Sequence, residues 1–171
     1  LYKMSAGSES QVGQEALDDA TGDGIWIGRP IELPGSIPLR FEGDADVGST
    51  LREWPTAHCV KCLVFYHPDD PAALREEQEA QVLRLFDAAR QTGHELLLEI
   101  VPPKSLSPKP DVLLRAMKRL YNLGIYPEWW KLPPPSAGEW PAIDALVAER
   151  DAYCRGIVLL GLSPPIETLA R

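Results

Sequence analysis

The chain has 171 residues, of which 44% are hydrophobic and 25% are charged. This length and composition indicate one globular domain with a sizeable core and exclude a disordered polymer. The formal net charge of −8 argues against nucleic acid as a partner, because a nucleic-acid surface needs a basic stripe to replace the counterions of phosphate. A small anionic substrate remains compatible with this charge, since a local basic pocket can form on an acidic protein.

The sequence carries no sign of a membrane segment. It has no run of about 18 apolar residues, and its N-terminus lacks a basic segment followed by an apolar stretch and a cleavage site. We therefore expect a cytoplasmic protein that makes no contact with a membrane.

The N-terminal part of the chain is weakly patterned. Residues 1–24 show little periodicity apart from a short helix predicted at 14–20, so we divide the chain into this segment and a domain at 25–171. A short apolar strand is predicted from Ile25, ended by glycine and prolines. The polar, turn-rich region that follows, up to Trp54 and Pro55, is predicted to be irregular.

From residue 60 onward, predicted strands alternate with predicted helices. The strands are expected at 60–66, 95–101, 125–132 and 156–160. The helices between them carry apolar residues at helical spacing. Asp70 is predicted to cap the first of these helices, with Pro71 at its first position. A last short helix is predicted after Pro165. Strands and helices that alternate about every thirty residues imply right-handed crossovers and a parallel sheet.

Two architectures fit this alternation of strands and helices. One is an open doubly wound sheet, and the other is part of a TIM barrel, because a complete barrel needs about 250 residues. The predicted fold class is α/β, with parallel strand-helix repeats that form a partial TIM barrel. In either architecture, ligands meet the carboxyl ends of the parallel strands.

Three predicted strands carry a charged residue inside an apolar run: Lys61, Glu99 and Lys131. A charge inside a covered strand costs several kcal/mol unless it is paired, so Lys61 and Glu99 are natural partners if their strands are neighbours. Such a pair can be a purely structural salt bridge. It can also belong to a reactive site, because all three residues lie on strands that lead to the same edge of the sheet.

Lys131 follows Trp129 and Trp130, and it is the candidate nucleophile. A lysine amine attacks a carbonyl only when it is neutral, and desolvation or a second nearby cation lowers its pKa. Glu99 could then move protons during imine formation. The alternatives are that Lys131 extends to solvent and that both tryptophans are core residues.

Cysteine and histidine give no comparable signal. Cys59 and Cys62 have the spacing of redox and zinc sites, but alternation along a strand would point them to opposite faces. The three histidines are scattered without the spacing of metal ligands, so no metal site and no metal-dependent lyase are expected.

Five segments in order resemble one family. They are Trp26-Ile-Gly-Arg-Pro-Ile-Glu-Leu-Pro, Val60-Lys-Cys-Leu-Val-Phe-Tyr-His-Pro-Asp-Asp, His94-Glu-Leu-Leu-Leu-Glu-Ile-Val-Pro-Pro, Pro127-Glu-Trp-Trp-Lys-Leu and Tyr153-Cys-Arg-Gly-Ile-Val-Leu-Leu-Gly-Leu. Together they resemble the bacterial domain fused behind the kinase that phosphorylates 5-dehydro-2-deoxygluconate in myo-inositol catabolism. That domain is similar to the class I tagatose-1,6-bisphosphate aldolases, which are eight-stranded barrels. No counterpart of their first strands, or of their last strand with its phosphate-binding loop, is recognisable in this chain.

The resemblance implies a role for each candidate residue. Lys131 would be the Schiff-base nucleophile, Glu99 the acid-base group and Lys61 its electrostatic or proton-relay partner. Gly161 would lie near a substrate phosphate, and we also nominate Arg29 as a contact to the substrate or its phosphate.

The resemblance also implies a reaction and its partners. The reaction would be retro-aldol cleavage of 5-dehydro-2-deoxygluconate 6-phosphate to dihydroxyacetone phosphate and malonate semialdehyde, with no cofactor. The partner would be a sugar kinase domain, fused or associated, and open strand edges favour a homo-oligomer. The alternative is a domain that binds a sugar phosphate or packs against the kinase without catalysis.

Overall fold

The computed structural model describes residues 2–3, 11–42, 46–103 and 111–161. Within these ranges, six strands alternate with five helices. The strands are β1 Tyr2–Lys3, β2 Ile27–Pro30, β3 Cys59–Phe65, β4 Leu96–Val101, β5 Trp129–Leu132 and β6 Gly156–Leu159. The helices are α1 Gln11–Ala20, α2 Val47–Arg52, α3 Ala72–Thr92, α4 Val112–Asn122 and α5 Trp140–Arg150.

The six strands form one parallel sheet, and their order in the sheet is their order in the chain. A doubly wound sheet requires the strand order to reverse at one point. The sequential order therefore excludes that architecture, and the arrangement is that of part of a TIM barrel. The sheet is not closed: among the described strands, β1 and β6 are its two edges.

The two faces of the sheet have different surroundings. Alternate residues of the central strands, such as Val60, Leu98 and Trp130, join the main hydrophobic core with apolar residues of α3, α4 and α5. The residues between them, which include Lys61, Glu99 and Lys131, therefore project from the opposite face. In a closed barrel, this second face would be the interior.

The helix boundaries differ slightly from those predicted. Asp70 does not cap α3: the N-cap is Pro71, and Asp70 Oδ2 accepts a hydrogen bond from the backbone N–H of His67 at 2.9 Å instead. This bond fixes the turn that leaves β3. At the other end, Gly93 ends α3 as predicted, with a left-handed φ of 77° that suits glycine.

Three further expectations are corrected at the ends of strands and in the polar region. The strand predicted from Ile25 begins at Ile27, and the strand predicted from Ile125 begins only at Trp129, because the N–H of Ile125 bonds to the carbonyl of Leu120 at the end of α4. The region predicted to be irregular contains α2, which Asp46 caps through Ser49 N at 3.2 Å.

The N-terminal segment also contributes to the sheet. A first strand was not recognisable in the sequence, yet β1 pairs with β2 in parallel, and Leu17 of α1 is buried against Ile27. The division of the chain at residue 25 stays a prediction. The helix predicted after Pro165 lies outside the described residues, and none of the described helices has the length and apolarity needed to cross a bilayer.

Candidate active site

The sheet brings Lys61, Glu99 and Lys131 together. Glu99 and Lys131 are direct register partners on β4 and β5, whereas Lys61 stands opposite Leu97 on β4 and reaches Glu99 diagonally. Lys61 Nζ lies 2.9 Å from Glu99 Oε2, and Lys131 Nζ donates a hydrogen bond to the same oxygen at 3.0 Å. One carboxylate oxygen therefore contacts both ammonium groups.

A fourth charged residue, Glu32, extends this cluster. Its Oε1 accepts a hydrogen bond from Lys61 Nζ. Pro30 is the register partner of Lys61, so Glu32, two residues further along and on the same face, also reaches Lys61 diagonally. We call these four residues, Glu32, Lys61, Glu99 and Lys131, the lysine-carboxylate cluster; their charges alternate across four neighbouring chain segments.

Sequence reasoning did not identify Glu32. The available signal was a single acidic residue at the end of the apolar stretch that begins at Ile25 and runs to Leu33, just before Pro34 and Gly35. Glu32 lies two residues after Pro30, so it shares a face with Pro30. This places it beside Lys61 only when the pairing of Pro30 with Lys61 is known.

All four charges of the cluster are removed from water: Lys61 is 4% exposed, Lys131 6%, Glu99 1% and Glu32 9%. Moving ionised groups out of water is costly, and hydrophobic residues of similar volume often stabilise a core as well or better. Stability alone is thus a weak reason for four buried charges on the inner face of a sheet.

The two central groups hold each other in the charged form. Burial by itself raises the pKa of the Glu99 carboxyl, but the charge and hydrogen bond of Lys61, together with Lys131, outweigh burial and hold this pKa below its usual value. Burial by itself lowers the pKa of Lys61, but Glu32 and Glu99 outweigh it and keep the pKa above its ordinary value. At neutral pH, Glu99 is therefore a carboxylate and Lys61 a fixed cation.

The two tryptophans beside Lys131 have different positions. Trp130 is fully buried on the helix side of the sheet, where its Nε1 donates to Tyr121 Oη at 2.8 Å. Trp129 shares the face of Lys131, with its ring centroid 4.7 Å from that of Trp26. Of the two tryptophans, Trp129 thus lies on the lysine side of the sheet, and Trp130 anchors β5 in the core.

The two residues nominated for phosphate contact differ in placement. Gly161 lies just beyond β6, and the neighbouring Leu160 N–H bonds to the carbonyl of Leu132, so Gly161 is near the carboxyl end of the strand that bears Lys131. Arg29 pairs in register with Val60 and stacks on Trp54 at 4.0 Å, on the helix side of the sheet. The structure therefore does not bring Arg29 to the lysine-carboxylate cluster, because the phase of strand alternation turns it away.

Cys59 and Cys62 are both buried and do not share a face of the sheet. Cys62 is in the main core, and Cys59 is buried on the other face, as alternation predicts. Burial raises the pKa of the Cys59 thiol to about 12, so it remains protonated. In the described ranges, no three His, Cys, Asp or Glu side chains are grouped as a metal site.

A cavity also lies away from this cluster. It has a volume of about 880 Å³ and is formed at the amino ends of β4, β5 and β6, where His94, Glu128 and Arg155 are among its lining residues. Parallel α/β folds bind ligands at the opposite ends of their strands. For this reason, the buried charges identify the candidate active site better than cavity size does.

Comparison with known proteins places the chain in a family. A family model described as "Uncharacterized protein conserved in bacteria (DUF2090)" matches residues 3–171. The matched range contains every described element from α1 to β6 and all four residues of the lysine-carboxylate cluster. No curated protein matches the chain.

Proposed function

We propose that this chain, which belongs to the DUF2090 family of bacterial proteins, is a class I aldolase with Lys131 as the Schiff-base nucleophile. The observation that carries the proposal is the contact of Lys61 and Lys131 with one oxygen of Glu99, on neighbouring parallel strands. An amine, a second cation and a carboxylate within hydrogen-bond reach are the groups needed to form an imine and move its protons.

The neighbouring cation supports Lys131 as the nucleophile. Both ammonium groups contact the same oxygen, so their nitrogens lie within about 6 Å of each other. At this distance, the positive charge of one lysine disfavours the charged form of the other. Lys61 is fixed in the charged form by Glu32 and Glu99. It therefore favours the neutral amine at Lys131 once a substrate competes for Glu99.

The proposed substrate is 5-dehydro-2-deoxygluconate 6-phosphate, and the proposed products are dihydroxyacetone phosphate and malonate semialdehyde. This choice rests on the resemblance of the five sequence segments to the aldolase-like domain of the corresponding kinase. A kinase domain, fused or associated, would supply the phosphorylated substrate in the cytoplasm. The open edges of β1 and β6, within the described strands, favour association with a partner or a second copy.

The reaction begins with formation of an imine. The neutral amine of Lys131 attacks the C5 ketone carbon, and the carbonyl oxygen takes up a proton. Loss of this oxygen as water leaves a protonated imine. Glu99, which contacts Lys131 Nζ at 3.0 Å, accepts the proton that the ammonium must lose before attack and returns it to the departing oxygen.

Cleavage then uses the imine as an electron sink. The Glu99 carboxylate, ionised again after water has left, takes the proton of the C3 hydroxyl. The C3–C4 bond breaks, and its electron pair moves into the iminium to give an enamine. Malonate semialdehyde, which contains C1 to C3 of the substrate, is released. Protonation of C4 and hydrolysis of the imine release dihydroxyacetone phosphate and regenerate Lys131.

Two further residues of the chain have supporting roles in the proposal. Glu32 holds Lys61 through Oε1, while its buried Oε2 has no hydrogen-bond partner in the described part of the chain and is able to accept one from a substrate hydroxyl. Gly161 would lie near the substrate phosphate, because it is close to the carboxyl end of the strand that bears Lys131.

A coupled assay tests the proposal. The protein is incubated with 5-dehydro-2-deoxygluconate 6-phosphate, and dihydroxyacetone phosphate is measured by its NADH-dependent reduction with glycerol-3-phosphate dehydrogenase. We expect turnover that persists in EDTA and falls about 10⁴-fold or more in Lys131→Met. The control Arg84→Met, on the exposed surface of α3, keeps full activity.

Two other results would favour another function. Activity that EDTA abolishes would indicate a metal-dependent lyase. Saturable calorimetric binding of the substrate without any product would favour the non-catalytic sugar-phosphate-binding domain.

A further inference from the structure

We infer that the groove between α3 and α4 is a second binding site, for the phosphate group of a small phosphate ester. The groove encloses about 360 Å³ and is lined by Pro68, Arg75, Arg115, Lys118, Arg119 and Asn122. Four of these six residues are cations, and none is a carboxylate. This wall of positive charge belongs to a chain whose formal net charge is −8.

The arginines of the groove are held in place by carboxylates that do not line it. Arg119 donates to Glu79 through Nε at 3.0 Å and Nη2 at 2.9 Å, and Tyr66 Oη donates to the same carboxylate at 2.6 Å. Arg115 Nη1 donates to Asp69 Oδ2 at 3.2 Å. The guanidinium groups are thus positioned before any ligand arrives, which reduces the entropy lost on binding.

Glu79 connects three parts of the fold. It lies on α3, is 5% exposed, and connects Tyr66 beyond β3 with Arg119 on α4. Arg75, which also lines the groove, has its Nε 3.7 Å from the same carboxylate. Two of the four cations are therefore oriented by one buried carboxylate.

Lys118 has no comparable partner. Within the described part of the chain it makes no ion pair, and it lies on the exposed face of α4 between Arg115 and Arg119. Arg115 and Arg119 are each paired with a carboxylate, so Lys118 supplies the uncompensated charge among these three residues. A bound anion gives the Lys118 ammonium a partner.

A phosphate ester suits these groups better than a simple halide or a single carboxylate. The N–H groups of Arg115 and Arg119 that do not donate to Asp69 or Glu79 can each donate to a phosphate oxygen, and the Lys118 ammonium adds a point charge. The volume of the groove exceeds that of a phosphate ion, so it has room for part of the organic group. Because the groove lies in the helical layer and Lys131 projects from the opposite face of the sheet, the two sites are separate.

An NMR titration tests this inference. Backbone amide shifts of the uniformly ¹⁵N-labelled chain are followed during addition of glycerol 3-phosphate, inorganic phosphate or, at matched ionic strength, acetate. We expect saturable shifts centred on residues 115–122 with both phosphates and none with acetate. Lys118→Gln and Arg115→Gln should each raise Kd about tenfold, as expected for loss of one charged hydrogen bond.

Two control variants separate this site from other causes. Arg84→Gln removes one positive charge from α3 outside the groove and should leave Kd unchanged. Lys131→Met should also leave the shifts at 115–122 unchanged, because this inference does not depend on the aldolase reaction. Shifts that do not saturate, that acetate reproduces, or that Arg84→Gln weakens as much as Lys118→Gln does would overturn it.

Discussion

Glu99 and Lys131 are register partners on adjacent parallel strands, and Lys131 Nζ donates to Glu99 Oε2 at 3.0 Å. Lys61 contacts the same oxygen from the other neighbouring strand at 2.9 Å. Glu99 is therefore the centre of the lysine-carboxylate cluster, and its removal affects both lysines at once.

Glu99→Gln should destabilise the protein strongly. The substitution keeps the shape of the side chain but leaves two buried ammonium groups without their shared carboxylate, a change that costs about 3–5 kcal/mol. Urea unfolding at pH 7 measures it. Glu95→Gln serves as the matched control. It removes the ion pair with the exposed Arg155 but keeps an oxygen that can accept the hydrogen bond of Trp129 Nε1, so it should cost less than about 1 kcal/mol. If the two variants lost the same free energy of unfolding, Glu99 would not stabilise the two buried lysines.

The free energy of unfolding should fall at alkaline pH, partly because of Lys61. Its pKa is raised in the folded protein, so its contribution is fully present below the unfolded value of about 10.5 and is lost as the pH rises toward the folded value. Buried Tyr66 and Tyr121, whose pKa values are also raised by burial, act in the same direction. The test is thus a comparison: between pH 9.5 and 11.5, Lys61→Met should lose less stability than the wild type. If the free energy of unfolding fell equally with pH in both proteins, Lys61 would not contribute to the alkaline loss of stability.

At mildly acidic pH, His58 and His94 should reduce stability. Burial lowers the pKa of both imidazoles; for His58 the charge of Arg29 adds to this effect. Their contribution is present above the unfolded pKa of about 6.5 and is lost as the pH falls, with a slope of up to about 1.4 kcal/mol per pH unit for each proton taken up on unfolding. Urea titrations at pH 7.5 and 5.5 should show a smaller loss in the double variant His58→Gln, His94→Gln than in the wild type. If the double variant lost as much free energy of unfolding as the wild type between pH 7.5 and 5.5, these histidines would not be the cause of the acid destabilisation.

Tyr121→Phe should weaken the anchoring of the strand that bears Lys131. The substitution leaves the buried Trp130 Nε1–H without its acceptor, at a cost of about 1–3 kcal/mol. Thermal or urea unfolding followed by tryptophan fluorescence measures the change. Tyr153→Phe is the control, because Tyr153 is 88% exposed and loss of its hydroxyl should be nearly neutral. If Tyr121→Phe is equally neutral, the indole hydrogen bond does not stabilise β5.

The central strands could be predicted from the sequence because they are covered on the helix side and nearly continuous in apolar residues. Lys61, Glu99 and Lys131 were conspicuous for the same reason, as charges inside such runs. The two-residue strand β1 is too short to show alternation, and α2 is short and held by a side-chain cap, so neither was evident from periodicity.

The site was predicted less completely than the fold, since it depends on strand register. Pro30 is opposite Lys61, so Glu32, which shares the face of Pro30, lies in the cluster. Arg29 is opposite Val60, so its side chain lies on the helix side of the sheet and outside the cluster. A register shift of one residue would exchange the faces of these side chains. The sequence of one strand does not contain that information, because register is decided by packing against its neighbour.

Reductive trapping tests the central claim most directly. The protein is incubated with dihydroxyacetone phosphate, treated with borohydride, digested and analysed by tandem mass spectrometry. We predict one stable adduct on Lys131, none in Lys131→Met, and a retained adduct in Arg84→Met. An unmodified Lys131 in the folded wild-type protein, or an adduct on Lys61 instead, would contradict the proposed mechanism.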